Sequence, residues 1–127
     1  MEILSKDTLN QLISILNTSI DNKIYSIIIK LQVKSTTQTI PEFSIGRMSS
    51  GGSYVGYYDY DQAAIDFVDT NLIYRLNELF ALYRTTNPKK RTLFFRYNNR
   101  RENGLVEIFS SSSMNLKSKI TLQSLIN

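Results

Sequence analysis

Apolar residues recur at helical spacing in two long stretches of this chain and alternate with polar ones in five shorter stretches. Leu9, Leu12, Ile13, Leu16 and Ile20 return every three or four positions, while Asn10, Ser14, Asn17 and Asp21 hold the opposite side. That spacing predicts an amphipathic helix from about Lys6 to Ile20, with Ser5 or Asp7 as its N-cap. From Lys23 to Val33 the period drops to two. Tyr25, Ile27, Ile29, Leu31 and Val33 share one face of a predicted strand, and Ser26, Lys30 and Gln32 the other. Ile28 interrupts the polar row and predicts partial cover on that second face.

A polar connection, KSTTQTIP at 34–41, ends at Pro41, which lacks a ladder donor. Glu42 to Met48 and Ser53 to Tyr60 then flank Ser49-Ser50-Gly51-Gly52, the signal for a hairpin. In its second strand, simple alternation puts Tyr54, Gly56, Tyr58 and Tyr60 on one face and Val55, Tyr57 and Asp59 on the other, with Tyr57 the exposed tyrosine. The helical period returns with Ile65, Val68, Leu72, Leu76, Leu79 or Phe80, and Tyr83, capped by Asp61 or by Asp59-x-x-Gln62. Thr70 is a second candidate cap that would divide this helix. Thr85-Thr86-Asn87-Pro88 stops it, because proline disfavours helical geometry in the residue before it. Arg91 to Tyr97 and Leu105 to Ser110 form a second hairpin around a polar, basic loop, followed by a serine spacer.

The order α-β-ββ-α-ββ predicts an α+β fold, an antiparallel sheet of about five strands with two helices packed on one face. Residues 1–110 make a single domain. Residues 111–127 are a C-terminal extension with only Ile120, Leu122, Leu125 and Ile126 to anchor it.

Composition narrows the chemistry. The 127 residues include neither Cys nor His. Disulfides, thiolate metal sites, cysteine nucleophiles and every histidine-dependent catalytic arrangement are therefore excluded, which leaves carboxylates, Lys, Tyr and Arg. The expectation is a protein that is not an enzyme and needs no cofactor. The apolar run Ile24 to Ile29 is broken by Ser26 and falls far short of the roughly 20 residues of a membrane span. Glu2 and the polar residues after it do not suit a signal peptide, so a cytoplasmic location is expected.

Charge is segregated along the chain. Arg84 to Arg101 holds seven of the fifteen basic residues and no acid, whereas Asp59 to Glu78 holds five of the eleven acids and a single Arg. Separated patches of this kind steer encounter with a charged macromolecule. The basic set, Arg84, Lys89, Lys90, Arg91, Arg96, Arg100 and Arg101, interleaves with Phe94, Phe95 and Tyr97. This is a pattern for phosphate neutralisation with a base stacked on an outward aromatic, although a solvated hairpin tip has the same composition. Asp59, Asp61, Asp66 and Asp69 lack the alternate spacing, Gly and final Glu of a calcium loop, and carboxylates suit a helix N-terminus, so no metal site is expected. Gly51-Gly52 precedes a strand and serves as a turn, not a phosphate cradle. Ser53 to Asp61 holds four of the eight tyrosines beside carboxylates, a composition that suits a protein-binding surface as well as a sheet lining.

The succession of GYYDYD, LIYRLNELFALYR and RTLFFRYNNRRENGLVEIF over roughly residues 20 to 110 resembles the YezG-like immunity or antitoxin family, small cytosolic α+β proteins that neutralise a bacterial toxin by contact. Lys89-Lys90-Arg91 stands where that family usually has a Trp, and the net charge of +4 departs from its usual acidity. The resemblance implies no catalytic residue. It implies that Tyr57, Tyr58, Asp59, Tyr60 and Asp61 are a partner site, with Asp66 and Asp69 extending an acidic stripe toward a basic toxin cleft. A small nucleic-acid-binding protein of phage or mobile-element origin, using the Arg84 to Arg101 face, is the alternative.

Overall fold

The computed structural model describes residues 4–17, 24–49, 54–58, 62–100 and 106–126. Helix α1 spans Lys6–Asn17, followed by strands β1 (Ile24–Gln32), β2 (Glu42–Ser49) and β3 (Tyr54–Tyr58). Helices α2 (Gln62–Asn71) and α3 (Ile73–Thr86) lead to β4 (Thr92–Asn98) and β5 (Val106–Phe109). A 3-10 turn at Leu116–Ser118, a two-residue strand β6 (Lys119–Ile120) and a short helix α4 (Leu122–Ile126) complete the described chain. The α+β class and the antiparallel sheet follow the sequence pattern. The sheet has six strands in the order β3-β2-β1-β4-β5-β6, the last added by the C-terminal segment.

β1 sits in the middle of the sheet, antiparallel to β2 on one side and β4 on the other. The register places Tyr58, Ile45, Ile29, Phe95, Ile108 and Ile120 in one row across all six strands. The described helices α1, α2 and α3 cover the face to which this row belongs. Leu9, Leu12, Ile13 and Leu16 of α1, Ala64 and Val68 of α2, and Leu76, Leu79, Phe80 and Tyr83 of α3 bury against Ile27, Ile29, Leu31, Leu93 and Phe95. Burial of this kind is the dominant favourable term in folding, about 1.5–3 kcal/mol for each large apolar side chain removed from water. The hydroxyl of buried Tyr97 donates to Asn10 Oδ1 at 2.8 Å, so the polar tip of a core residue is satisfied by α1.

The second helical stretch divides, but not by the mechanism expected. Leu72 starts α3 without a side-chain capping bond, and the Thr70 hydroxyl turns back to donate to Asp66 O at 2.9 Å. Asn71 Nδ2 likewise donates to Phe67 O at 2.9 Å. Such back-bonding competes with the helical ladder and bends helices. At the junction Leu72 N bonds to Val68 O at 2.9 Å and Leu76 N to Leu72 O at 3.0 Å, so Leu72 closes α2 and opens α3.

The opposite face is sealed more completely than alternation alone implies. Ile28, Phe94 and Phe109 are each at most 2 % exposed and form a second apolar cluster under Met114. Met114 adopts a left-handed backbone (φ 47°), a conformation that costs about 1–2 kcal/mol for a residue with a Cβ. Its packing on the three buried side chains offsets that cost. The C-terminal segment thus contributes to both faces: Met114 to this cluster, Leu125 and Ile120 to the helix-covered core.

Candidate interaction surfaces

The acidic and basic stretches meet different fates. Asp66 and Asp69 are exposed on α2, and Asp66 accepts from Gln62 Nε2 at 2.7 Å. Asp66 and Thr70 of α2 and Tyr74 and Glu78 of α3 recur at four-residue spacing and are all exposed, and together they form the exposed ridge of the two helices. Tyr74 is 86 % exposed, among the most exposed large apolar side chains described. Glu78 pairs with Arg75 one turn earlier. Tyr74 has a signal in the sequence, an aromatic on the polar side of an otherwise amphipathic helix. Asp59, Tyr60 and Asp61 lie outside the described residues.

Strand β3 carries Tyr57 and Tyr58 at the edge of the sheet. In the ladder Tyr57 stands opposite Gly46 and Tyr58 opposite Ile45. Tyr58 therefore belongs to the row that crosses the helix-covered face, and Tyr57 to the row Gly46, Ile28, Arg96, Glu107. A register shift between Arg47 and Met48 pairs Tyr54 with Met48, which breaks the single row of Tyr54, Gly56 and Tyr58 that uninterrupted alternation predicts. A bulge of this kind adds one residue to one strand and moves every position beyond it to the other side of the sheet.

Most of the described basic residues are spent on the protein itself. The Arg84 guanidinium donates to Gln38 O (3.1 Å) and Thr36 O (2.8 Å) and lies over the Phe80 ring at 5.7 Å, tying the β1–β2 connection to α3. Together they wall a groove of about 450 Å³ that also takes in Pro41, Asn77 and Pro88. Arg91 donates to Lys34 O at 3.1 Å. Arg96 donates through Nε (3.2 Å) and Nη2 (3.0 Å) to Glu107 Oε1, covers the Phe109 ring at 4.8 Å, and shares Glu107 with Lys119, whose Nζ is 3.4 Å from Oε2. Arg100 stacks over Tyr25 at 4.1 Å. Lys89 and Lys90 are exposed in the α3–β4 connection. Arg101 lies outside the described residues.

The basic set is therefore not one patch. Arg84, Lys89, Lys90 and Arg91 precede β4 and Arg100 follows it, so the two groups are separated by the length of a seven-residue strand, roughly 23 Å. The aromatics between them do not serve as an outward stacking platform: Phe94 and Phe95 are each 2 % exposed and Tyr97 3 %. A strand in the middle of a sheet with both faces covered buries both halves of its alternation, which is why Phe94 and Phe95 are equally hidden. Among the described residues no group of three or more acidic side chains is placed to hold a metal ion. No described helix is long and apolar enough to cross a membrane. In comparisons with known proteins, no family model, no curated protein and no solved structure matches the chain.

Proposed function

We propose that this chain is an immunity protein that binds a cognate bacterial toxin domain and neutralises it sterically. The observation that carries this reading is the exposed ridge of α2 and α3. It presents Tyr74 at 86 % exposure beyond Asp66 and Asp69, while four of the basic residues fold back onto the chain's own carbonyls, Glu107 and Tyr25. Interface energy concentrates in a few aromatic anchors ringed by polar groups, and carboxylates around such an anchor orient a basic partner. β3 ends at Tyr58 and α2 begins at Gln62, so the tyrosine-rich strand feeds directly into this ridge. The inhibitory surface in this reading comprises Asp66, Asp69 and Tyr74 together with Tyr58, Asp59, Tyr60 and Asp61, which precede α2 in the chain, and Tyr57 extends it around the β3 edge to the other face of the sheet. The nucleic-acid alternative is second, because its stacking aromatics are buried and its arginines are engaged.

The test is co-expression in a bacterial host with the toxin domain encoded beside this gene. The chain should protect the host. Tyr74→Ala combined with Asp66→Lys and Asp69→Lys should abolish protection with the far-ultraviolet spectrum and melting transition preserved. Full protection by that triple variant and by Tyr57→Ala would overturn the assigned surface. Steep, salt-sensitive binding of random oligonucleotides in fluorescence anisotropy, without protection, would favour the alternative.

A further inference from the structure

Asn77, Phe80, Ala81, Arg84 and Thr85 form a stripe along α3 that faces the β1–β2 connection across the groove of about 450 Å³, and no acidic residue lines it. The place of the Arg84 guanidinium is fixed by residues that themselves line the groove. Nη1 donates to Gln38 O (3.1 Å), Nη2 donates to Thr36 O (2.8 Å), and the carbon between them lies 5.7 Å from the centre of the Phe80 ring. These contacts use two of the five N–H groups of a guanidinium and bring it no negative charge. Among the described residues Arg84 has no carboxylate in an ion pair with it, its Nε is buried without a hydrogen-bond partner, and so is Asn77 Oδ1. Buried polar atoms are nearly always paired in folded proteins. One orphaned donor and one orphaned acceptor on the same wall point to a group that answers both.

Asn77 precedes Phe80 by one turn and the guanidinium lies beside that ring, so the two orphans are separated along α3 by roughly 5 Å. The ligand must offer a negative oxygen to Arg84 and an N–H to Asn77 within the length of one residue. A carboxylate with an acylated nitrogen on the neighbouring carbon does this, and an apolar side chain on that carbon has Phe80, Ala81 and Pro41 to rest against. A phosphate dianion would meet a single cation among largely apolar walls. The volume falls in the range of roughly 300–1,000 Å³ in which ligand pockets with a few placed polar groups occur. Both orphans are hidden from water, so the ligand reaches them as the β1–β2 connection lifts from α3. That connection is braced internally: Gln38 Oε1 accepts from Lys34 N and Gln38 Nε2 donates to Ile40 O, each at 2.7 Å. Outward, among the described residues, only the two Arg84 bonds tie Thr36 to Ile40 to the rest of the fold by hydrogen bonding, and Ile40 is 72 % exposed. A carboxylate is a stronger partner for a guanidinium than the neutral carbonyls it would displace.

We propose that this groove binds an N-acylamino carboxylate, either a free N-acyl amino acid or the C-terminal residue of a peptide, with the carboxylate on Arg84 and the amide N–H on Asn77 Oδ1. The proposal does not rest on the immunity reading, because it uses neither a toxin nor the acidic side chains of the ridge. The test is nuclear magnetic resonance titration of the full chain at low salt with N-acetyl-leucine and, separately, with N-acetyl-glycyl-glycyl-leucine. Amides from Thr36 to Gln38 and from Asn77 to Thr85 should shift saturably. N-acetyl-leucinamide, which lacks the carboxylate, should bind about tenfold more weakly. Asn77→Leu should weaken binding about fivefold, and because it removes a buried acceptor that has no partner, it should leave the melting temperature unchanged or raise it. Arg84→Lys keeps the charge but loses the planar fork and should weaken binding about tenfold, while Lys117→Gln on the C-terminal segment leaves it unchanged. Tighter binding of the tripeptide assigns the site to peptide C-termini; equal or tighter binding of N-acetyl-leucine assigns it to the free molecule. No saturable shift with either probe overturns the proposal. So does equal affinity for the leucinamide, or undiminished binding by Asn77→Leu.

Discussion

The two faces of this sheet are sealed by different means. One carries a broad apolar row under α1, α2 and α3, and the other a cluster of three buried side chains, Ile28, Phe94 and Phe109, closed by Met114, with Arg96 stacked on Phe109 and bound to Glu107. Phe95 and Phe94 are adjacent in β4 and equally buried, yet they belong to these two different cores. Burial alone therefore does not say which residues hold the fold together. What covers them does: a helix packed along a sheet relaxes little when a side chain is lost, whereas a loop and a few long charged side chains can close over the gap.

Truncating each phenylalanine measures the difference. Phe95→Ala should cost about 4–5 kcal/mol and Phe94→Ala about 3 kcal/mol in chemical denaturation, the smaller figure reflecting collapse of the loop around Met114. Leu76→Ala, on the buried side of α3, should fall with the helix-covered core at about 2–5 kcal/mol; a cost below about 0.5 kcal/mol would mean that α3 does not pack as described. An equal loss for Phe94 and Phe95 would show that the second face is as rigid as the first.

The next effect concerns the ionic cover. Glu107→Ala leaves Arg96 and Lys119 without their shared carboxylate and loosens the guanidinium from Phe109, and it should cost about 1–2 kcal/mol, less in high salt. A variant with unchanged stability would mean that Arg96 stays over Phe109 without its carboxylate.

The helix-covered face carries a pH signature. Burial raises the Tyr83 pKa above its usual value near 10, although the Ser110 hydrogen bond works against the shift. A raised folded-state value means that the contribution is complete below about pH 10 and is lost as pH climbs through the folded pKa, because the unfolded state releases its proton first. Tyr83→Phe should flatten the fall in melting temperature on the alkaline side. An unchanged alkaline slope would assign it to other groups. The smallest expected effect is at Tyr74, outside both cores: Tyr74→Ala should change stability by less than about 0.5 kcal/mol while weakening partner binding.

Where sequence reasoning reached the site and where it stopped has a physical cause. Asp66 and Asp69 were legible as an acidic helix face because helical spacing fixes which residues share a side. The grouping of Arg84, Lys89, Lys90, Arg91, Arg96 and Arg100 was legible only as a run. Nearness in sequence along a strand means separation in space, and the carbonyls of Thr36, Gln38 and Lys34 that claim Arg84 and Arg91 lie far away in the chain.

By itself the sequence determined the helices and strands, their alternation, the antiparallel α+β class and the exclusion of histidine and cysteine chemistry, because these depend on local periodicity and composition. Tertiary structure alone decided that β1 and β4 lie in the interior of the sheet with Met114 over its second face, so that Phe94 is buried as fully as Phe95 and the partial cover predicted at Ile28 is complete. It decided that the C-terminal segment supplies a sixth strand, and that a shift at Met48 moves Tyr54 out of the row of Tyr58. Strand neighbours and ladder register are set by contacts between residues distant in sequence, and no local pattern encodes which partner a strand will meet.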